Sequence, residues 1–425
     1  MLNYGGVAML ARFQSLIRQY SITIMVIIVI YALSVNEQLG KLCAGVAILL
    51  FGMLFLGDGF KAFSGGFLEK TLTNSTKTSL RSVIFGTIVT TLMQSSSLVS
   101  VLSISFVSAS LITLVQGIGV MFGANLGNTT GSWLIAGASS ISISSLALPL
   151  IVGGLLFSFQ GNLLYKGVGK ILAGLGFFFL GVFYIKAGFE GFKDVMDLSQ
   201  YELEGYKAVL GFLFIGALIT SIIQSSHATL AIIITAYFEQ QVGYEQALAA
   251  VLGTSVGGVV TALVASLSTN IEGRRLAVAN CIFNFTTVFI VAVFFNYFVM
   301  INNAISDAIG LGQDSILRLA VFHTLFNLFG VILLIAFIPK IANFLTKTLK
   351  GGNTGESVPL FINDSILPYK DTALEALDNE VKHLYDNAFA IISHTIGFSR
   401  ADIRSTKEFD EIKNNKDWFK QTFIV

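Results

Sequence analysis

Charged residues are scarce in this 425-residue chain. They make up 12% of it, whereas 54% of the residues are apolar, and a soluble domain usually has about twice that charged share. The stretch 82–165 contains no Asp, Glu, Lys or Arg. A soluble surface cannot be built from such a stretch, but a helical membrane protein can, because each span needs about 20 apolar residues. The composition therefore predicts an all-α polytopic membrane protein.

A strong net charge and a cysteine framework are also missing. The formal net charge of +1 argues against a nucleic-acid partner. Cys43 and Cys281 both lie in apolar segments, which indicates buried free thiols rather than a disulfide or a metal site. Arg12 and Arg18 precede the apolar stretch 21–35 without a small-residue cleavage pattern, which favours a first span over a cleaved signal peptide.

Two polar clusters interrupt the apolar segments. Gln94–Ser97 lies within segment 82–113, and Gln224–His227 lies 130 residues later within segment 208–238. The residues that match in this register are Gly86, Thr90, Gln94, Ser95, Ser96, Gly123 and Gly127 in the first copy and Gly216, Thr220, Gln224, Ser225, Ser226, Gly253 and Gly257 in the second. Matching polar clusters in two hydrophobic halves indicate the central binding site of a transporter.

The repeat suggests how the chain is organised. We predict a transmembrane transport domain over residues 1–350, with one repeat at about 40–165 and another at about 168–345. Segments 82–113 and 208–238 are long for one span and short for two, so a re-entrant hairpin that turns at each polar cluster fits them. The sequence leaves open whether the repeats are inverted or parallel, although inversion is the commoner arrangement when broken helices carry the site.

Basic residues near span ends predict the orientation in the membrane. Further spans are expected at about 21–36, 40–57, 114–137, 141–160, 168–189, 246–268, 275–300 and 317–345. The basic residues near their ends are Arg12, Arg18, Lys166, Lys170, Arg274, Arg275, Lys340, Lys347 and Lys350. By the positive-inside rule these ends face the cytoplasm, which places both termini inside and the protein in the cytoplasmic (inner) membrane, surrounded by lipid.

The composition changes after about residue 350. Gly351–Gly355 has the composition of a linker, and residues 370–425 are rich in charge. Apolar residues recur there at helical spacing, at Leu374, Leu377, Val381, Leu384, Ala388 and Ile391. The pattern predicts that 351–425 forms a linker and a cytoplasmic amphipathic helix, which docks on another helix or subunit. A homodimer is one assembly that would provide such a partner.

The two clusters combine the chemistry of an anion site with that of a cation site. Helices beginning near Ser95–Ser97 and Ser225–His227 would aim backbone N–H groups at one point, which is how helix N-termini bind anions. Serine hydroxyls add donors that suit a tetrahedral oxyanion. Oxygen atoms for a hard cation such as sodium are available on Gln94, Asn125, Thr129, Gln224, Thr254, Ser255 and Thr261. Neither hairpin contains Arg or Lys, so co-bound sodium would offset the cost of burying an anion and would couple the two fluxes.

Structural explanations compete with these functional ones. Ser and Thr hydroxyls in membrane helices commonly hydrogen-bond to a neighbouring helix or to the backbone of their own helix. For any single serine, this structural role is a better explanation than ligand binding. Two clusters in register favour function. Three roles are open for His227: it could replace a serine hydroxyl as a donor, it could titrate with pH, or it could bond a neighbouring helix. The third role is the interpretation that we prefer from the sequence. The pairs His323 with Asn327 and Asn280 with Asn284 would either join helices or line the pathway.

At these residues the sequence resembles the type II sodium–phosphate cotransporter family. Over residues 40–345 it shows that family's pattern, a Gln-Ser-Ser-Ser motif in each repeat followed by a stretch of glycine, asparagine and threonine. The matching segments are Gln94–Ser97 with Gly123–Thr130, Gln224–Ser226 with Gly253–Gly257, and His323 to Asn327. The sequence departs where His227 replaces the third serine and where only Thr261 remains of a threonine-rich run. These departures bear on the sodium stoichiometry and on the choice of coupling ion.

The resemblance implies inverted repeats with re-entrant hairpins, in a secondary transporter that couples sodium to the movement of inorganic phosphate. It implies no enzymatic activity, no cofactor and no metal other than sodium. Phosphate would be held by Ser95, Ser96, Ser225 and Ser226, and the third-position residues Ser97 and His227 complete the predicted phosphate set. Sodium would lie near Gln94, Asn125, Gln224, Thr254 and Ser255, and Thr129 and Thr261 complete the predicted sodium set. The tail resembles part of a PhoU-like helical domain.

Three alternatives remain open. Within transport, the chain would be a phosphate exporter or a carrier of another oxyanion such as sulfate. An intramembrane serine hydrolase would use Ser225 or Ser226 as nucleophile and His227 or His323 as base, but adjacent Ser226 and His227 point about 100° apart on a helix. In a phosphate sensor, the spans would detect phosphate without transporting it, and the tail would transmit the signal.

Overall fold

The computed structural model describes residues 20, 23–64, 76–140, 144–192, 205–267, 269–311, 315–350, 359, 361–362 and 370–395. Every longer regular element within these ranges is an α-helix. In chain order they are α1 (Thr23–Val35), α2 (Glu37–Ser64), α3 (Ser79–Met93), α4 (Ser96–Ser108), α5 (Leu114–Ser140), α6 (Ser144–Ser158), α7 (Leu163–Phe192), α8 (Gly205–Ile223), α9 (Ser226–Phe238), α10 (Tyr244–Ser266), α11 (Ile271–Val293), α12 (Phe295–Ala308), α13 (Ser315–Leu334), α14 (Ile338–Thr348) and α15 (Lys370–Thr395). Predictions on Arg12, Arg18, residues 351–358 and residues 396–425 lie outside the described residues.

Six of these helical segments are long and apolar enough to cross a membrane. They are Glu37–Phe60, Leu163–Gly191, Gly205–Ile223, Tyr244–Ser266, Ile271–Val293 and Ser315–Thr348. This confirms the predicted all-α polytopic class. Two predicted spans are interrupted, one at Phe294 and one at the 3₁₀ turn Ile335–Phe337. Pro339 follows that turn in the first turn of α14, where its missing N–H costs nothing, so a new helix begins there.

The two polar clusters lie in helix–turn–helix units with the same internal packing. In each repeat the first helix of the unit, α3 or α8, runs parallel to the following long helix, α5 or α10. The tightest contacts are Gly86 with Val120 and Gly123 with Val83 in the first repeat, and Gly216 with Ala250 and Gly253 with Leu213 in the second. At each of these glycines a Cβ would overlap the facing backbone. The contacts repeat at a spacing of 130 residues, which confirms the register of the repeat.

Helices α2 and α7 form an extensive antiparallel contact. Glycines lie at every seventh position of both helices, which places them on one face. A Cβ added to Gly45 would lie 2.8 Å from the carbonyl oxygen of Gly181. One added to Gly52 would lie 2.7 Å from that of Gly174, and one added to Gly59 would lie 2.8 Å from that of Gly167. The partner's residue number falls as the number along α2 rises, so the helices are antiparallel, and the glycines allow their backbones to touch.

Two apolar clusters fill the interior, one at each end of the long helices. One contains α4 with the beginning of α5 and the last turns of α10, and the other contains α9 with the beginning of α10 and the last turns of α5. Helices α11 and α13 contribute one end to each cluster. The tips of the two helix–turn–helix units therefore meet between the clusters, in the middle of the bundle.

Helix α15 contacts the connection between α4 and α5. Ala376 packs on Ala109, beside Leu111 and Phe361, and a Glu380 carboxylate oxygen accepts a 2.7 Å hydrogen bond from the backbone N–H of Phe361. The apolar residues predicted to dock, Leu374, Leu377, Val381 and Leu384, are 47–55% exposed. The helix thus docks through a different face from the one that its apolar periodicity indicates.

Candidate functional site

Each polar cluster breaks a helix pair in the same way. Gln94 and Gln224 have left-handed backbones, with φ of 49° and 56°, a conformation that ends a helix. The next residue begins the following helix as its N-cap. The Ser95 hydroxyl accepts from the N–H of Leu98 at 3.2 Å, and the Ser225 hydroxyl accepts from that of Ala228 at 3.3 Å. Serine is among the best N-cap residues, so the prediction that helices begin at these clusters is confirmed.

One asparagine joins the two helix N-termini. Asn128 of α5 is 8% exposed. Its Oδ1 accepts from the Ser96 hydroxyl at 3.2 Å, and its Nδ2 donates to the Ser226 hydroxyl at 3.0 Å. Ser96 and Ser226 are equivalent in the two repeats and are the first residues of α4 and α9. The N-termini of both short helices therefore meet at a single amide group, where their partial positive charges add.

A small polar cavity lies beside this bridge. Its volume is about 30 Å³, room for about two water molecules at the roughly 10–15 Å³ that each requires. It is lined by Ser96, Ser97, Ser100, Asn125, Asn128, Gln224, Ser226, Thr254, Ser255, Gly258, Thr261, Ala262, Asn280, His323 and Asn327. None of these lining residues is Asp, Glu, Lys or Arg. The walls therefore offer hydroxyl and amide groups without a formal charge from a carboxylate, lysine or arginine.

Several cavity hydroxyls have no partner among the described residues. These are the hydroxyls of Ser97, Ser100, Ser255 and Thr261. Hydroxyls elsewhere in these helices usually donate to a carbonyl one turn earlier, as Ser103 does to Val99 at 2.7 Å. Buried polar groups are normally satisfied by protein, water or ligand. The unpaired hydroxyls therefore identify the part of the cavity where a ligand or water completes the hydrogen bonding.

Amide groups close the other side of the cavity. The Nδ2 of Asn125 donates to Met121 O at 3.1 Å and to Asn280 Oδ1 at 3.0 Å, and both bonds use its nitrogen, so its carbonyl oxygen remains for the cavity. Asn280 Oδ1 also accepts from Asn284 Nδ2 at 3.0 Å. The oxygen of Asn280 is thus occupied, and its amide N–H groups remain as donors. Asn280 joins α11 to α5 and lines the cavity, whereas Asn284 bonds, among the described residues, only to Asn280 within α11.

His323 fastens α13 to α5. Its Nδ1 lies 2.6 Å from the Ser132 hydroxyl, which itself donates to the carbonyl of Thr129 at 2.7 Å. The hydroxyl has one hydrogen, so Nδ1–H of His323 is the donor in the first bond. The indole N–H of Trp133 donates to the Thr324 hydroxyl at 3.0 Å and strengthens the same contact.

His227 is buried beside the bridge, outside the cavity lining. It is 2% exposed and is absent from the cavity lining. Its Nε2 lies 3.1 Å from the backbone carbonyl of Asn128, and because a carbonyl only accepts, Nε2 carries the proton. A bond to a neighbouring helix, the default interpretation of His227, describes this geometry.

The structure brings together eight of the predicted site residues. The eight that line the cavity are Ser96, Ser97, Asn125, Gln224, Ser226, Thr254, Ser255 and Thr261. Ser95 and Ser225 lie next to them as helix caps. Gln94 and Thr129 are turned elsewhere: Gln94 Nε2 donates to the Thr130 hydroxyl at 3.0 Å, and the Thr129 hydroxyl donates to Leu126 O at 2.8 Å.

Sequence reasoning missed Asn128, Ser100 and Gly258. Asn128 lies one turn after Asn125 within the charge-free stretch 82–165, and this position on the same helical face was the available signal. Gly258 is its counterpart 130 residues later, and a Cβ there would meet nothing within 4 Å. The polar Asn128 fills its side of the site, and the glycine leaves the other side open.

Comparisons with known proteins agree with this architecture. A family model described as "Na+/Pi-cotransporter" matches residues 48–187. An uncharacterized Bacillus subtilis (strain 168) protein, YqeW, is 28% identical over 293 residues, which are 68% of this chain and 91% of that protein. The Escherichia coli (strain K12) protein named "Putative inorganic phosphate export protein YjbB" is 24% identical over 311 residues, 73% of this chain.

The homologous protein of the same name in Salmonella typhimurium is 23% identical over 318 residues. The chain spans about half the length of these two export-named relatives, 55% in each case. No solved structure matches the chain at a significant level. The family match covers residues 48–187 of the 425 residues and includes the first polar cluster, so this part of the chain is similar to the Na+/Pi-cotransporter family.

Proposed function

We propose that this chain is a secondary transporter that couples sodium to the movement of inorganic phosphate across the cytoplasmic membrane. Phosphate would lie at the N-termini of α4 and α9, and sodium would lie in the adjoining cavity. The observation that carries this proposal is the Asn128 amide, which joins Ser96 and Ser226 at 3.2 and 3.0 Å. Two helix N-termini from two repeats that meet at one point form an anion site assembled from both halves of the protein.

The hydrogen-bond directions suit an oxyanion. The Ser226 hydroxyl accepts from Asn128, so its own hydrogen is free to donate to a ligand. The N–H groups of the first turns of α4 and α9 point in the same direction as their positive dipole ends. Asn280 adds amide N–H donors at the cavity wall. An acceptor with several oxygens, such as phosphate, can use all of these donors at once.

Charge balance supports coupling to a cation. The segments 82–165, 208–238 and 246–271 contain no Asp, Glu, Lys or Arg. Two helix N-termini supply roughly one positive charge between them, which leaves a phosphate dianion short of about one compensating charge. A buried uncompensated charge is costly. The cavity's unpaired hydroxyls and the carbonyl oxygen of Asn125 are the oxygen ligands that sodium prefers, so a co-bound sodium ion would supply the missing charge.

Several contacts support inverted-topology repeats with hairpins that enter from opposite sides. Helices α2 and α7, which hold equivalent places in the two repeats, pack antiparallel along their glycines. Helix α4 belongs to one apolar cluster and α9 to the other. Helices α5 and α10 begin at opposite ends of the bundle. An inverted pair of broken helices around a central site is the architecture of alternating-access transporters.

The charges at the two ends of the bundle support cytoplasmic termini. The Asn270 side chain donates to Ser108 O at 2.7 Å, and the Arg275 guanidinium donates to Leu349 O. These contacts bring the start of α11 to the end of α4 and the end of α14. The basic end has Lys77, Arg81, Arg274, Arg275, Lys347 and Lys350 with the acidic Glu272, whereas at the other end Glu239, Glu245 and Asp307 accompany Lys186, Lys207 and Arg318. By the positive-inside rule the basic end is cytoplasmic.

The decisive experiment is radiolabelled phosphate uptake into proteoliposomes, with an inward sodium gradient compared with a matched potassium gradient. We expect sodium-dependent uptake that falls at least tenfold in Ser226→Ala. The matched control is Ser103→Ala, which removes a buried hydroxyl bonded only to Val99 O within α4. Folded protein that carries no phosphate with any cation would exclude the assignment, and equal uptake in sodium and potassium would exclude the coupling.

Export is the second candidate, because the Escherichia coli and Salmonella relatives are named for it. The same vesicles, loaded with phosphate, measure efflux with sodium on either side. Faster phosphate release than uptake under mirrored gradients would favour export. Competition by sulfate in the same assay tests whether the carried oxyanion is phosphate.

The hydrolase and sensor alternatives lack support from the geometry. A serine hydrolase needs a histidine paired with its nucleophile. Here the Nε2 of His227 bonds Asn128 O, and the Nδ1 of His323 bonds Ser132, whereas Ser226 is held by Asn128. The sensor alternative can be tested by deleting residues 356–425. Phosphate transport that survives this deletion would count against a protein whose spans only sense phosphate and signal through the tail.

A further inference from the structure

The polar cavity draws on both repeats, but it is asymmetric at one pair of equivalent positions. Two residues that line it are Ser97 of α4 and Thr261 of α10. The counterparts of this pair, 130 residues away, are His227 of α9 and Gly131 of α5. The pair Ser97 and Thr261 leaves space between the helices, whereas the imidazole of His227 occupies the space over Gly131.

His227 also reaches the counterpart of another cavity residue. Gly258 lines the cavity, and its equivalent is Asn128, which lines the same cavity through its side chain. The imidazole hydrogen-bonds the backbone carbonyl of Asn128, at 3.1 Å. The ring therefore occupies, over Gly131, the space that corresponds to the open space between Ser97 and Thr261 in the other repeat.

We propose that His227 fills the second of two equivalent cation positions, so that the cavity beside Ser97 is the one that remains. This inference rests on the proposed function, which places sodium in that cavity. A cation at the second position would be held by oxygen atoms, including main-chain carbonyls. An imidazole N–H directed at the Asn128 carbonyl satisfies the same oxygen from within the chain, without an ion.

Packing at Gly131 accounts for the identity of the paired residues. A Cβ on Gly131 would overlap the His227 ring, so a histidine at 227 requires glycine at 131. In the other repeat the smaller Ser97 permits the larger Thr261. In each pair the size of one residue is matched to that of the other: His227 with Gly131, and Ser97 with Thr261. Exchanging one pair for the other therefore tests the inference.

The test exchanges the pairs in both directions in the full-length protein. The double variant with His227→Ser and Gly131→Thr copies the open pair, and the double variant with Ser97→His and Thr261→Gly copies the filled pair. Saturation binding of ²²Na⁺ to purified protein by equilibrium dialysis counts the ions per chain. We expect one more bound sodium in the first variant and one fewer in the second, relative to the unaltered protein.

The control variant is Gly137→Thr, which adds the same side chain to α5 at a glycine with nothing within 4 Å. It should leave the sodium count unchanged. If His227→Ser with Gly131→Thr does not yield monodisperse protein, the opposite exchange decides. Unaltered protein that binds sodium while neither folded exchange variant changes the count would overturn this inference alone. Unaltered protein that binds no sodium would overturn the cation assignment of the proposed function as well.

Discussion

Gly131 of α5 lies directly beneath the imidazole of His227 of α9, and a Cβ on Gly131 would overlap the ring. The two residues belong to different repeats and are linked by the bond from His227 Nε2 to the carbonyl of Asn128, 3.1 Å away. Because Asn128 also joins Ser96 to Ser226, the position of the histidine ring and that of the central bridge depend on each other.

We expect Gly131→Ala to displace His227 and to lower the free energy of unfolding by about 1–3 kcal/mol, the usual cost of overpacking a well-packed core. The matched control is Gly137→Ala in the same helix, where a Cβ has nothing within 4 Å. That variant should be neutral or gain up to about 1 kcal/mol, because alanine suits a helix better than glycine. Thermal unfolding of the purified proteins measures both. Equal melting temperatures for the two alanine variants would contradict the contact.

Asn128→Asp tests the anion site. The substitution places a carboxylate where α4 and α9 begin, a position at which negative charge stabilises a helix by about 0.3–1 kcal/mol, so the fold should persist. The same charge would repel a bound anion, and we expect phosphate affinity to fall at least about 100-fold, which corresponds to roughly 2.8 kcal/mol. Binding of radiolabelled phosphate to purified protein gives the affinity.

The control for this change is Asn162→Asp, an exposed residue before α7 whose side-chain oxygen accepts from the N–H of Leu164 at 2.9 Å. An aspartate oxygen can accept the same bond, so phosphate affinity should be unaltered. Undiminished phosphate binding in folded Asn128→Asp would show that the anion does not lie at the two helix N-termini.

Substitutions at Gly258 test whether the cation lies in the open part of the cavity. We expect Gly258→Ala to fold normally and to gain about 0.5–1 kcal/mol in unfolding free energy, because a helical glycine there has no close neighbour. Gly258→Asn, which copies its counterpart Asn128, should fill the cavity and reduce sodium affinity at least tenfold. Sodium titration of phosphate uptake compares the two variants. An unchanged sodium dependence in Gly258→Asn would place the cation elsewhere.

The contact between α2 and α7 makes a further prediction. A Cβ on Gly52 would lie 2.5 Å from the backbone nitrogen of Phe178, so Gly52→Ala must push the two helices apart. We expect a loss of about 1–3 kcal/mol in stability. Gly57→Ala is the control in the same helix, since its nearest atom would be Met93 O at 3.7 Å, an ordinary contact. Thermal unfolding that falls equally in both variants would argue against backbone contact at Gly52.

Local features of the sequence were good guides to local structure. The Gln-Ser-Ser motif predicted where α4 and α9 begin, because serine caps and the left-handed residues before them act within a few residues of the chain. The direction of a side chain is less local. Thr129, which was predicted to lie near sodium, follows Asn128 by one residue and points about 100° away from it on the helix, and it is absent from the cavity lining.

The helical tail leaves its prediction open. Its apolar spacing predicted docking on another helix or subunit through the face that contains Leu374 and Leu377, and both are about half exposed. The described contact uses Ala376 against Ala109. Periodicity shows which residues share a face, but it does not identify the partner of that face.

The sequence by itself determined that this is a charge-poor helical membrane protein with two repeats in register and a broken helix pair in each. Those properties follow from composition and short-range periodicity. The packing of the helices was needed to show that Asn128 joins the two helix N-termini and that the His227 ring lies over Gly131. The physical reason is that the bridge and the His227 contact join residues about a hundred positions apart. Such contacts arise only when α5 and α9 pack at a particular rotation.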